Sequence, residues 1–251
     1  MKVRMYNVGF GDCFCLRDRK KSLLVDFGTN NSRIEGRPRR EIFDVIISDL
    51  STIKSKNLLL THFHMDHLSG LLYMMKKKDI SVDFGKIYLP DVFSKKEMSR
   101  TLVLLLLADL LKESGLPSRQ VSLFALVDAL LENKQNVELL SRGKLFENKY
   151  QALWPDTDVI RKETDEVYNR ICEDGKFKEV MDVLLEFAEK LRLIVWSMTA
   201  EGNKPAETVE KETDLTASEL TEQPEVRQKI IRAYVLSLIH ISEPTRLRCI
   251  S

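Results

Sequence analysis

The stretch Asn57 to Leu72, NLLLTHFHMDHLSGLL, constrains this chain more than any other. Leu58 to Leu60 reads as a short buried strand, and Leu68 to Met75 has the apolar period of a helix. Between them lie Thr61, His62, His64, Asp66 and His67, so the metal-type side chains are expected on the loop that joins strand to helix. Residues two apart in an extended segment point the same way, so His62 and His64 can present two imidazoles to one cation. Asp66 and His67, turning into the helix, can face a second. Two divalent ions held there would polarise a water between them and bring its pKa from that of bulk water towards neutrality, making a nucleophile available for hydrolysis. Three of the four histidines in the chain fall in this one motif with an aspartate among them, which argues against a chance cluster on the surface.

The motif THFHMDHLSG resembles the ligand signature of the metallo-β-lactamase-fold hydrolase superfamily. Within that superfamily, the opening YNVGFGDCFCL and the segment SLLVDFG resemble the branch related to the hydrolase domain of the competence protein that imports DNA. The pair LLSRG (139–143) and ALWP (152–155) resembles the same branch. The likeness runs from Met1 to about Pro90 and returns around residues 137–155.

That resemblance implies an α/β (α+β) fold, the first half of an αββα sandwich carrying a helical insertion. It implies a centre of two divalent metal ions, with His62 and His64 on the first and Asp66 and His67 on the second. Zinc suits imidazole best, and manganese or iron also suit a mixed histidine and carboxylate site. Asp66 is the candidate catalytic residue, because a ligand carboxylate keeps a free oxygen to orient the attacking hydroxide and take its proton. The implied substrate is a phosphodiester, nucleotide or nucleic acid in kind; a lactone, thioester or β-lactam stays open, since the same centre attacks carbonyls. The contrasting class is a non-catalytic binding or scaffolding protein that retained the fold.

Residues 2–8, 12–18 and 21–28 have the pattern of three short strands, with Gly9 and Gly11 supplying a turn that calls for positive φ. Asp26 ends the third strand just before Gly28. Its carboxylate can orient a histidine of the metal loop from behind or cap its own turn; the resemblance favours the first role. Asn30 to Arg40 reads as a polar loop whose four arginines form a basic patch, suited to phosphate but equally to a solvated surface. A helix is expected over 42–53, another over 67–79 with a lysine-rich end, and a strand over 86–90. Cys13 and Cys15 read as small buried hydrophobes, because four scattered cysteines make no disulfide framework.

These elements divide the chain into an N-terminal half-fold with the metal loop (1–92), a helical insertion (93–135), return strands of the same domain (136–156) and a long helical segment (157–200). A flexible Glu/Thr-rich linker is expected at 201–225, where few large apolar side chains are available to offset ordering entropy. Leu236 to Arg246, LSLIHISEPTR, resembles a translated sequencing adapter along its whole length, so 236–251 is expected to be a non-native tail. His240 then does not count as a ligand. The superfamily completes its two metal sites with later histidines and an aspartate, and residues 1–235 hold no histidine beyond the first motif. The expectation is a truncated hydrolase, inactive as it stands, with an open sheet edge or an uncovered apolar face.

Bulk properties exclude little else. A balance of 39 basic against 38 acidic residues creates no general field for nucleic acid or membrane. MKVRMYNV runs straight into a strand pattern, and the longest apolar run, Leu102 to Ala108, falls far short of the ~20 residues of a membrane span. No secretory signal or membrane insertion is expected, and a cytoplasmic location follows.

Overall fold

A computed structural model describes residues 1–18, 21–77, 83–113, 122–173 and 175–200. In chain order its elements are β1 (Lys2–Met5), β2 (Phe14–Asp18), β3 (Lys21–Val25), β4 (Arg33–Ile34), β5 (Arg37–Pro38), α1 (Arg39–Ser51), β6 (Ser55–Leu59), α2 (Met65–Met75), β7 (Ile87–Pro90), α3 (Ser99–Glu113), α4 (Ser122–Glu132), β8 (Val137–Leu140), β9 (Leu145–Phe146), β10 (Tyr150–Gln151), α5 (Thr157–Glu173) and α6 (Gly175–Ser197). The expected linker 201–225 and tail 236–251 lie outside the described residues.

Six strands form the central sheet in the order β1-β2-β3-β6-β7-β8. The first three make an antiparallel meander, and β3, β6, β7 and β8 run parallel. Parallel neighbours require crossover connections, which α1 and α2 supply. The mixed, mostly parallel sheet with its helices is an α/β architecture.

The helices gather on one face. On α1, Ile42, Phe43, Ile46, Ile47 and Leu50 recur at helical spacing and are all buried. They share a single core with Cys15, Leu24, Leu58, Ile87 and Leu89 of the sheet and with Leu68 and Leu71 of α2. Leu102, Val103 and Leu106 of α3 and Leu123, Leu126 and Leu130 of α4 join the same core. Of these leucine-rich helices, α3 lies against α5 and α6, and α4 lies against α2. The opposite face carries a smaller cluster of Leu23, Tyr88, Leu140, Phe146 and Ala152 beneath the β9–β10 hairpin. At the β1 end of the sheet, Val3 and Met5 remain 61% and 73% exposed.

Several boundaries differ from the sequence expectations, each for a local reason. The first strand stops at Met5 because the chain turns through Gly9 at φ 70°. Gly11 needs no positive φ; the reason for glycine there is close packing, described below. Residues 30–40 are not a plain loop: β4 and β5 pair in a short hairpin, with Glu35 and Gly36 at φ 48° and 79° making the turn. The return strands expected within 136–156 divide at the turn containing Gly143, φ 88°, so β8 extends the main sheet and β9 leaves it. The helix after the metal loop begins earlier than the apolar period suggests, at Met65, which puts Asp66 and His67 in its first turn. It ends at Met75 with no basic residue in its last turn.

Candidate metal centre

Because β3 and β6 run parallel with Val25 beside Leu59, the segments that follow them leave the sheet at the same edge. Asp26 follows β3, and Thr61 and His62 follow β6. The Asp26 backbone N–H donates to the Leu59 carbonyl at 2.8 Å, fixing the two segments together. A third segment, Gly9 to Asp12, lies across them: the Asp12 N–H donates to the Asp66 carbonyl at 3.3 Å and the Gly28 N–H donates to the Asp12 carbonyl at 3.2 Å.

These segments touch at backbone distance, which explains two glycines. A Cβ on Gly11 would stand 2.3 Å from the Gly28 carbonyl oxygen and 2.7 Å from that of Asp66. A Cβ on Gly28 would stand 2.6 Å from the Asp66 carbonyl carbon and the Leu68 nitrogen. Any side chain at either position would push the first turn of α2 away from the strand ends.

Asp26 sits at the centre of the resulting cluster. It is 3% exposed and held at φ 54°, a left-handed conformation that aspartate tolerates better than most residues. Its Oδ1 accepts the Thr61 N–H at 2.8 Å, and its Oδ2 accepts the Thr61 hydroxyl at 2.7 Å. The same Oδ2 lies 3.0 Å from Nδ1 of His67, which is itself buried. A carboxylate accepting at Nδ1 favours the His67 tautomer that carries its proton on Nδ1 and its lone pair on Nε2. Nε2 lies 3.7 Å from Oδ2 of Asp66.

The four motif residues predicted as ligands all lie at this edge. The ligand atoms of His62, Asp66 and His67 fall within 4.8 Å of one another. The rings of His62 and His67 are 3.7 Å apart between centroids. His64, the residue just before α2, presents its ring edge to His62 with centroids 4.8 Å apart. Burial, followed by the nearby imidazoles of His67 and His64, holds the His62 pKa below its ordinary value, so His62 is neutral at neutral pH. Two imidazoles with a carboxylate are a donor set suited to a divalent cation, so the side chains present fit such an ion.

Asp12 and Thr61 were not singled out in the sequence. Asp12 places Oδ2 3.7 Å from Nδ1 of His67, and its carboxylate, that of Asp26 and His67 form a second group within 4.8 Å. The GFGD turn gave no sign of this, because the approach of Asp12 to His67 depends on contacts between segments far apart in the chain. Asp26 is where the site-proximal expectation put it, facing a histidine of the metal loop.

Residues 6–91 match the model of the metallo-beta-lactamase superfamily. The matched span holds Asp12, Asp26, Thr61 and every motif ligand. A curated protein, Endoribonuclease YSH1 of Mycosarcoma maydis, is 32% identical over 77 residues. The match covers 31% of this chain and 8% of that protein, so the chain spans a small part of its relative's length. No solved structure matched the chain significantly. Among the described residues, no helix is long and apolar enough to cross a membrane.

Proposed function

We propose that this chain carries ligands of a metal-dependent hydrolase centre acting on a phosphodiester, with divalent cations held among His62, His64, Asp66 and His67. The observation that carries this reading is the convergence of His62, Asp66 and His67 within 4.8 Å, with the His67 lone pair turned to the ligand side by Asp26. Divalent cations bound there, zinc first by donor type, would supply Lewis acidity and lower the pKa of water. The protein's own part is orientation and proton handling. Asp26 keeps His67 in one tautomer, and the partly exposed Asp66 has a carboxylate oxygen able to take the proton of an attacking water. The likeness to a protein described as an endoribonuclease supports a phosphodiester over a carbonyl substrate.

The test is zinc content after dialysis, followed by hydrolysis of bis(p-nitrophenyl) phosphate, for the full-length protein from which this chain derives and for its His62→Ala, His64→Ala double variant. Stoichiometric zinc and measurable turnover, both lost in the variant, are expected. Equal zinc and equal turnover in the two proteins would remove the hydrolase reading.

A further inference from the structure

We propose that Thr61 is a positioning residue whose hydroxyl passes the orienting influence of Asp26 on to His62, so that one buried carboxylate sets the tautomers of two histidines. The inference rests on the metal reading above and adds a residue to which that reading gives no part.

The argument follows the protons. The Thr61 hydroxyl has one proton and lies 2.7 Å from Oδ2 of Asp26 and 3.1 Å from Nδ1 of His62. The Thr61 N–H already donates to Oδ1 of Asp26, so the carboxylate serves as the acceptor and the hydroxyl donates to Oδ2. Its oxygen then has only lone pairs to offer His62. The 3.1 Å contact is therefore a bond from the His62 Nδ1–H to Thr61 Oγ1, which leaves the His62 lone pair on Nε2. Asp26 acts on His67 directly through the same Oδ2. Both imidazoles thus present Nε2 as the donor atom, and the two are brought ring to ring at 3.7 Å.

Thr61 is itself fixed at two points, since its backbone N–H donates to Oδ1 of Asp26 at 2.8 Å. That second bond holds the hydroxyl in place without consuming it. A threonine at this position retained only to cap the Asp26 turn would need the N–H bond alone. The contact with His62 Nδ1 is what assigns the hydroxyl a role at the metal centre.

The experiment compares the full chain with Thr61→Val, which removes the hydroxyl and keeps the β-branched shape, and with Thr61→Ser, which keeps the hydroxyl. Long-range proton–nitrogen NMR of the metal-free proteins reads the tautomer of each histidine, and competition with a chelating indicator reads zinc affinity. In Thr61→Val, His62 is expected to move to the Nε2–H tautomer while His67 stays Nδ1–H, with zinc affinity falling about tenfold, the lower end of what losing an orienting partner costs. Thr61→Ser should restore both. An unchanged His62 tautomer in Thr61→Val overturns the proposal, and so does a changed tautomer with unchanged zinc affinity. Failure of the wild type to take up zinc sinks the metal reading instead, and the tautomer measurement still decides whether Thr61 orients His62.

Discussion

Nδ1 of His67 and Oδ2 of Asp26 lie 3.0 Å apart, although 41 residues separate them in the chain. Parallel pairing of β3 with β6 brings the two strand ends together, and the first turn of α2 then returns His67 over Asp26. The bond joins scaffold to chemistry, because the residue that closes the sheet edge also determines which nitrogen of a candidate ligand is free.

Replacing Asp26 by Asn should therefore damage the centre without touching a ligand. An amide cannot accept from the Thr61 N–H, the Thr61 hydroxyl and the His67 Nδ1–H with the same two oxygens. Zinc affinity is expected to fall about 10–100-fold, measured by chelator competition. An unchanged affinity would mean that His67 is oriented by something other than Asp26.

Gly28→Ala tests the backbone contact. The new methyl would stand 2.6 Å from two backbone atoms of α2, and neither can move without shifting the helix. A loss of about 3 kcal/mol is expected, seen as a fall in Tm of roughly 5–10 °C. Gly175→Ala, where nothing lies within 4 Å, should leave Tm almost unchanged. Equal behaviour of the two variants would refute the close approach.

Asp49 gives a pH-dependent prediction away from the centre. On α1 it accepts from Arg4 of β1 at 2.7 Å, from Arg17 of β2 at 2.9 Å and from the Tyr6 hydroxyl. Burial pushes its carboxyl up, but the Tyr6 hydroxyl and the Arg17 and Arg4 guanidiniums outweigh burial and hold it below its ordinary value of 3.8. A carboxyl depressed in the folded state stabilises above its unfolded pKa, and that contribution disappears as pH falls through the folded value. Asp49→Asn should cost ~1–2 kcal/mol near neutral pH, measured by urea unfolding. The gap to wild type should hold down to about pH 4 and close below it. A gap that is independent of pH down to 2 would show that the charge of Asp49 contributes nothing.

The thiols should divide by burial. Cys13 and Cys15 are 1% and 0% exposed, and burial, with Cys15 close by, pushes the Cys13 thiol far up from its ordinary range. Cys172 is partly exposed. A maleimide at neutral pH should modify Cys172 in the native protein and reach Cys13 and Cys15 only after unfolding, as mass spectrometry of the digested protein would show. Rapid native labelling of Cys13 would contradict the packing of the first turn.

The elements that carry their own period were legible in sequence. Leu58 to Leu60 marked a buried strand, and Ile42 to Leu50 marked a helix, because apolar side chains at a fixed spacing report local geometry and the buried face together. The motif histidines and Asp66 could be named as candidate ligands because they are close in sequence, and a strand followed by a helix can bring such residues to one point. The short hairpin at Arg33–Pro38 was not legible, since it rests on positive φ at Glu35 and Gly36 and not on any apolar pattern.

What the sequence determined by itself was the class of fold and His62, His64, Asp66 and His67 as candidate ligands. What only the tertiary structure decided was their order of dependence: Asp26 beneath His67, Thr61 between Asp26 and His62, and Asp12 at the rim. Those relations come from parallel strand pairing and from backbone contacts at Gly11 and Gly28. Contacts between segments tens of residues apart leave no local period in the sequence, so the residues that orient the centre appear only when the chain is folded.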